Sequence, residues 1–96
     1  MHITIRQLQV FEAVARHLSY TRAAEELHLT QPAVSMQIKQ MESSIGLPMF
    51  EQIGKKIYLT QAGDAMLVHA RTIMRHLEAA AEEMNGLRGE DSGRLR

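Results

Sequence analysis

Residues 19–35 read Ser19-Tyr20-Thr21-Arg22-Ala23-Ala24-Glu25-Glu26-Leu27-His28-Leu29-Thr30-Gln31-Pro32-Ala33-Val34-Ser35 (SYTRAAEELHLTQPAVS) and hold two helix starts with one tight connection between them. Ser19 is a good N-cap, and Ala23, Ala24 and Leu27 make a small-residue face suited to close packing on a neighbouring helix, so the pattern predicts a helix over about 20–27. No glycine marks its end. His28-Leu29 forms the connection, with His28 in a position to take a positive φ. Thr30 caps the next helix, and Pro32 falls in its first turn, where a missing N–H leaves nothing unsatisfied. The core stripe of that helix is Val34, Ile38, Met41 and Ile45, spaced 4-3-4 on one side of a 3.6-residue repeat, and Gly46 and Pro48 end it.

Upstream, Thr4-Ile5-Arg6-Gln7 has the form of a capping box, and the apolar series Leu8, Phe11, Val14 or Ala15, and Leu18 predicts a supporting helix over about 5–18. Downstream, Met49-Phe50-Glu51-Gln52-Ile53 and Lys56-Ile57-Tyr58-Leu59 flank Gly54-Lys55, the pattern of a small hairpin. Thr60 then caps a segment from about 61 to 88, and Gly89 to Arg96 reads as a flexible polar tail. In the long segment Met66, Ala70, Ile73, Leu77, Ala80, Met84 and Leu87 are spaced 4, 3, 4, 3, 4, 3, a heptad seam. Leu67, Met74 and Ala81 widen it. Over about 40 Å such a stripe needs a partner, either a second copy of the chain, its own domain, or a further domain.

The predicted fold is therefore all-α with a small β-hairpin. Its 96 residues allow one small domain with an extension and little room for an enclosed catalytic cleft. There is no cysteine, hence no disulfide framework and no thiolate zinc site. No apolar run approaches the roughly 20 residues that cross a bilayer, and the N-terminus has no signal pattern, so a soluble, cytoplasmic protein with no membrane partner is expected. Eleven Lys+Arg balance eleven Asp+Glu, and any electrostatic footprint must be local.

With the core stripe turned inward, Pro32, Ser35, Met36, Lys39 and Ser43 point away, with Gln40 beside them and Gln31 at the N-terminal rim. No carboxylate appears on this face until Glu42. Glutamine pairs bidentately with adenine, serine donates or accepts, and an apolar side chain can rest against a thymine methyl. The face alone fits a solvated surface as well. Its context favours DNA: two short helices at about 20–27 and 31–45, preceded by a supporting helix, match a helix-turn-helix whose second helix enters the major groove. The hairpin would be a wing with Lys55 and Lys56 at its tip, while Thr21 and Arg22 lie where a first helix meets the backbone.

The same stretch, with Ile38, Met41-Glu42, Ile45-Gly46, Met49-Phe50-Glu51 and Leu59-Thr60-Gln61-Ala62-Gly63, resembles the N-terminal domain of LysR-type transcriptional regulators of bacteria. The likeness runs over about residues 3–88. It implies a winged helix-turn-helix over 1–60, a linker helix over 61–88 that pairs antiparallel in a homodimer, and tetramers at full length. It also implies a C-terminal effector-binding domain, absent from this chain, through which a small molecule acts. By the resemblance, the residues matching Gln31, Pro32, Ser35 and Met36 meet bases of double-stranded promoter DNA at an interrupted palindrome, and Lys55 enters the minor groove. Thr21, Arg22, Thr30, Lys39 and Lys56 complete the expected DNA-binding set, and Met66 to Leu87 of the seam form the dimer contact. Met36 and Gln52 depart from the pattern, since relatives often carry arginine at both. The run from Met36 to Gln40 and from Phe50 to Thr60 is similar to regulators of carbon-fixation (Rubisco) operons.

Enzymes are the weaker class. The histidines at 2, 17, 28, 69 and 76 show no ligand spacing and no glycine-rich phosphate loop appears, so neither metal nor cofactor is expected. A winged-helix module that binds another protein without reading DNA is the remaining alternative.

Overall fold

The computed structural model describes residues 1–94, in the order α1 (Ile5–His17), α2 (Tyr20–Leu27), α3 (Gln31–Ile45), β1 (Phe50–Ile53), β2 (Lys56–Leu59) and α4 (Gln61–Arg94). The capping box at α1 is complete: Thr4 Oγ1 accepts from the Gln7 N–H at 3.0 Å, and Gln7 Oε1 accepts from the Thr4 N–H at 3.1 Å. α1 ends at His17, one residue before the expected end, and Leu18 caps it in the left-handed region at φ 49°. His28 closes α2 at φ 56°. There the Leu29 N–H reaches back to Ala24 O at 2.9 Å, so the turn closes as a helix C-cap without a glycine.

Val10, Phe11 and Val14 of α1, Val34, Ile38 and Met41 of α3, and Met49 are almost wholly excluded from solvent. Each such side chain contributes about 1.5–3 kcal/mol through burial. Ala23 and Ala24 give α2 its close approach to this centre, and the Phe11 ring lies 5.4 Å from that of Phe50, tying the hairpin to α1. The strands pair antiparallel in the register Phe50↔Leu59 to Ile53↔Lys56, and Gly54 takes φ 62° at the tip.

The passage from hairpin to α4 is unusually constrained. Thr60 Oγ1 accepts the Gly63 N–H at 3.0 Å, and its hydroxyl donates to Pro48 O at 2.6 Å. The Thr60 N–H donates to Met49 O at 3.0 Å. A Cβ on Gly63 would run into the Met49 carbonyl and come within 2.9 Å of Leu59 Cδ2.

On the opposite side an ion-pair network joins three helices. Arg16 meets both oxygens of Glu12, at 3.1 and 2.9 Å, and both of Glu26, at 2.6 and 2.8 Å. His17 Nε2 lies 2.7 Å from Glu26, and Arg71 of α4 is 3.6 Å from Glu12. The hydrogen bond from Arg16, then that from His17, lowers the Glu26 carboxyl to about 2.

The expected tail over 89–96 is corrected for most of its length, because the backbone stays helical through Arg94; residues 95–96 lie outside the described residues. Gly86 and Gly89 each weaken a helix by about 1 kcal/mol relative to alanine, but with no proline beyond them propagation of a helix already nucleated continues. No helix among the described residues is long and apolar enough to cross a membrane.

Two outcomes follow for stability. Gly63→Ala should destabilise the domain by about 1–3 kcal/mol through overpacking against backbone, whereas Gly86→Ala, with nothing within 4 Å, should stabilise it by about 0.5–1 kcal/mol; urea unfolding of the three proteins checks both signs. Glu26 has a folded pKa below its ordinary 4.5, so its contribution is full above that value and is lost as pH falls toward about 2. Glu26→Gln should remove that acid-dependent loss, and Tm against pH for the two proteins should converge at the acid end.

Candidate nucleic-acid interface

α3 is turned by its own core stripe. With Val34, Ile38 and Met41 buried, the residues Gln31, Pro32, Ser35, Met36, Lys39, Gln40 and Ser43 line one open depression of about 700 Å³. Thr30 Oγ1 accepts the Ala33 N–H at 3.2 Å, so this expected contact residue has its oxygen engaged as the helix cap. Gln31 Nε2–H donates to Ser35 Oγ at 2.9 Å, which fixes the amide over the first turn.

A second depression joins the first at Gln31 and is lined by Leu18, Ser19, Tyr20, Thr21, Gln31, Gln52, Lys55 and Ile57. It opens between the start of α2, capped by Ser19 Oγ accepting the Arg22 N–H at 3.1 Å, and the hairpin. Thr21, Gln31 and Lys55, far apart in sequence, are thus brought together. Arg22 and Lys56 are exposed but do not line this groove. Ser19, Tyr20, Gln52 and Ile57 were not among the expected site residues. Strand alternation carried the signal for two of them: Phe50 is buried, so Gln52 and its cross-strand partner Ile57 share the face turned to the helices.

Among the described residues neither depression is lined by a carboxylate, and their cations are Lys39 and Lys55. Burial, with a smaller push from Glu42, raises the Tyr20 phenol above its ordinary 10.0. Tyr20 lines the groove with its ring edge-on to Phe50, the centroids 6.1 Å apart. Gln52 Nε2–H donates to Gly54 O at 3.2 Å and braces the hairpin tip.

The seam on α4 is divided. Ala70 is 0% exposed, and Met66 and Leu67 pack on the domain's own core. Ala70, wholly enclosed, is therefore corrected from the expected dimer contact to intramolecular packing, and the partly buried Met66 packs on the same core, because Gly63 lets the first turns of α4 lie close against the hairpin and α1. Beyond them Ile73, Leu77, Met84 and Leu87 are 41%, 47%, 56% and 50% exposed, and Ala80 is exposed as well. The apolar stripe that the domain does not cover starts at Ile73.

Three helices, a two-stranded wing and a long terminal helix, with a carboxylate-free outer face on the third helix, define a winged helix-turn-helix domain. The model of the bacterial regulatory helix-turn-helix proteins of the lysR family matches residues 5–64, and the chain belongs to that family. It is 55% identical over 96 residues to a RuBisCO operon transcriptional regulator of Allochromatium vinosum, covering 100% of this chain and 32% of the relative. It is also 55% identical over 92 residues to the HTH-type transcriptional regulator CbbR of Rhodospirillum rubrum, covering 96% and 31%. The chain thus spans about a third of the length of these curated relatives. Among solved structures, a CbnR_DBD-DNA complex matches with a TM-score of 0.81 at 32% identity, over 88% of this chain and 97% of that one. A BenM_DBD/catB site 1 DNA complex matches at 0.85 and 25%, over 88% and 96%.

Proposed function

We propose that this chain is the DNA-binding portion of a bacterial transcription regulator and binds double-stranded promoter DNA sequence-specifically. The carrying observation is the carboxylate-free α3 face running without a break into the Lys55 groove. α3 enters the major groove with Gln31, Pro32, Ser35 and Met36 toward base edges, since the first turns of a recognition helix are those that reach them. Lys39, Thr21, Arg22 and the Thr30 hydroxyl hydrogen are available to phosphates, and the 53–57 wing, with Lys55 and Lys56, lies at the minor groove. The relatives solved with DNA support this reading, and a duplex partner implies a cytoplasmic location.

Residues 1–60 act as the reading unit and α4 as the pairing helix. Two copies associate through Ile73, Leu77, Ala80, Met84 and Leu87, and the two-fold symmetry of such a pair matches an interrupted palindrome. The RuBisCO operon relatives support a carbon-fixation operon as the target. Effector sensing and higher assembly belong to the remaining two thirds of such a regulator. The proposed role is binding rather than catalysis, with no cofactor required.

Anisotropy titration of a palindromic duplex at several salt concentrations should give a steep negative slope of log K against log[salt], which counterion release from phosphates produces. Lys55→Ala should weaken binding and reduce that slope by about one; an unchanged slope would remove the wing contact, and a flat wild-type slope would point to a protein-binding module instead. Leu77→Asp should halve the sedimenting mass, by placing a charge in the middle of the exposed stripe. The same mass as wild type would remove the pairing role of α4.

A further inference from the structure

Met36 is the residue of the α3 face that neither folding nor charge explains. It is 56% exposed, whereas Met41 and Met49 are 0% and 1% exposed, and it belongs neither to the core nor to the shell packed on it. A single exposed methionine is ordinary on a protein surface, but the setting of this one is specific. Its neighbours in the depression are polar or charged apart from Pro32. Beside it, the hydrogen bond from Gln31 to Ser35 at 2.9 Å uses one amide hydrogen and leaves Gln31 with one acceptor and one donor. That remaining pair is the complement of adenine N6 and N7.

A thioether carries no donor and only a weak acceptor, so it does not bind guanine O6 and N7, and without charge it does not attract phosphate. The one apolar feature in the major groove is the C5 methyl of thymine. Resting on the DNA-binding reading above, we propose that Met36 determines base preference in this chain by seating its Sδ–Cε end on a thymine methyl, next to the base pair spanned by Gln31. The recognised sequence then contains an A·T pair at that step. Covering one methyl, at about 0.8 kcal/mol, corresponds to about fourfold in affinity when 1.4 kcal/mol is tenfold. An arginine at the same position has the opposite chemistry, a fork that matches guanine.

Duplexes enriched by the wild-type chain from a randomised library, resynthesised with deoxyuridine at each thymine in turn, isolate the methyl from every other group. At one or more thymines, uridine should weaken wild-type binding about fourfold, and Met36→Ala should bind the thymine and uridine duplexes equally. Selection with Met36→Arg should move the same position to guanine. Because Met36 has no contact with the core, both variants should unfold at the wild-type temperature. A wild-type motif in which no thymine gives a Met36-dependent uridine penalty overturns the inference and leaves DNA binding intact, as does a Met36→Arg motif identical to that of wild type. Failure of the wild-type chain to enrich any sequence overturns both.

Discussion

The close approach of Gly63 to the Met49 carbonyl is the constraint from which the rest of the arrangement follows. Only a residue without Cβ lets the first turn of α4 lie on that carbonyl. Thr60 holds the approach from both sides, capping α4 through Gly63 and donating to Pro48. The Met49 N–H in turn donates to the Glu42 carboxylate at 2.7 Å, and the carbonyl of Glu42 accepts the Gly46 N–H at 2.7 Å. The end of α3, the start of the hairpin and the start of α4 therefore meet in one hydrogen-bonded joint. A shift of any of the three would leave a partly buried donor or acceptor unpaired, at about 1–3 kcal/mol each. The angle between the outer face of α3, the wing and the long helix is fixed there rather than by loops.

A chain of zero formal net charge can still present a locally favourable surface to a polyanion if its carboxylates are placed elsewhere. Glu12 and Glu26 are held by Arg16, Arg71 and His17 on the α1–α2–α4 side. Glu42 is turned to the Met49 N–H, and Glu78, Glu82 and Glu83 lie along α4, away from α3. Attraction at the α3 face then depends on Lys39, in a depression that no carboxylate lines, and on Lys55, which shares the hairpin with the exposed Glu51. Exposed charges more than about 8–10 Å away are largely screened at physiological salt. Net charge was uninformative for this reason: distribution, not sum, sets the local field.

Most of the fold was legible in the sequence because local chemistry and global packing agree. Ser19 and Thr30 cap helices where their side chains indicate, Gly46 ends α3, and the 34-38-41 stripe is buried as its spacing requires. The left-handed turn at His28 was legible once no glycine was available to take it. Three features were not, the first being the helix that continues from Gly89 to Arg94 where a polar tail is expected. Periodicity reports that a stripe is apolar without naming what covers it, so the seam read as one surface although Met66 and Ala70 face the domain's own core. Strand alternation puts Gln52 and Ile57 on the face turned to the helices, but their meeting with Tyr20 around Lys55 depends on the joint at Gly63, and no local pattern encodes that distance.

The division of the seam bears on how a pair of such chains could read DNA. The intramolecular part of the stripe roots α4 on α1, and the exposed part lies further along the same helix. In the proposed dimer no flexible segment intervenes between the reading unit and the pairing surface. From Gly63 to Leu77 the helix advances about 21 Å, a distance that thermal motion alters little compared with a linker of similar length. Two reading helices would then be held at a defined separation and angle, and the half-site spacing of the DNA becomes a property of α4 and its root. In the proposed dimer of a full-length regulator, coupling between an effector domain and DNA would then have a simple mechanical route. A change that rotated one α4 against the other at Leu77 would move each α3 face as a rigid body, because the joint at Thr60 and Gly63 leaves little play to absorb it.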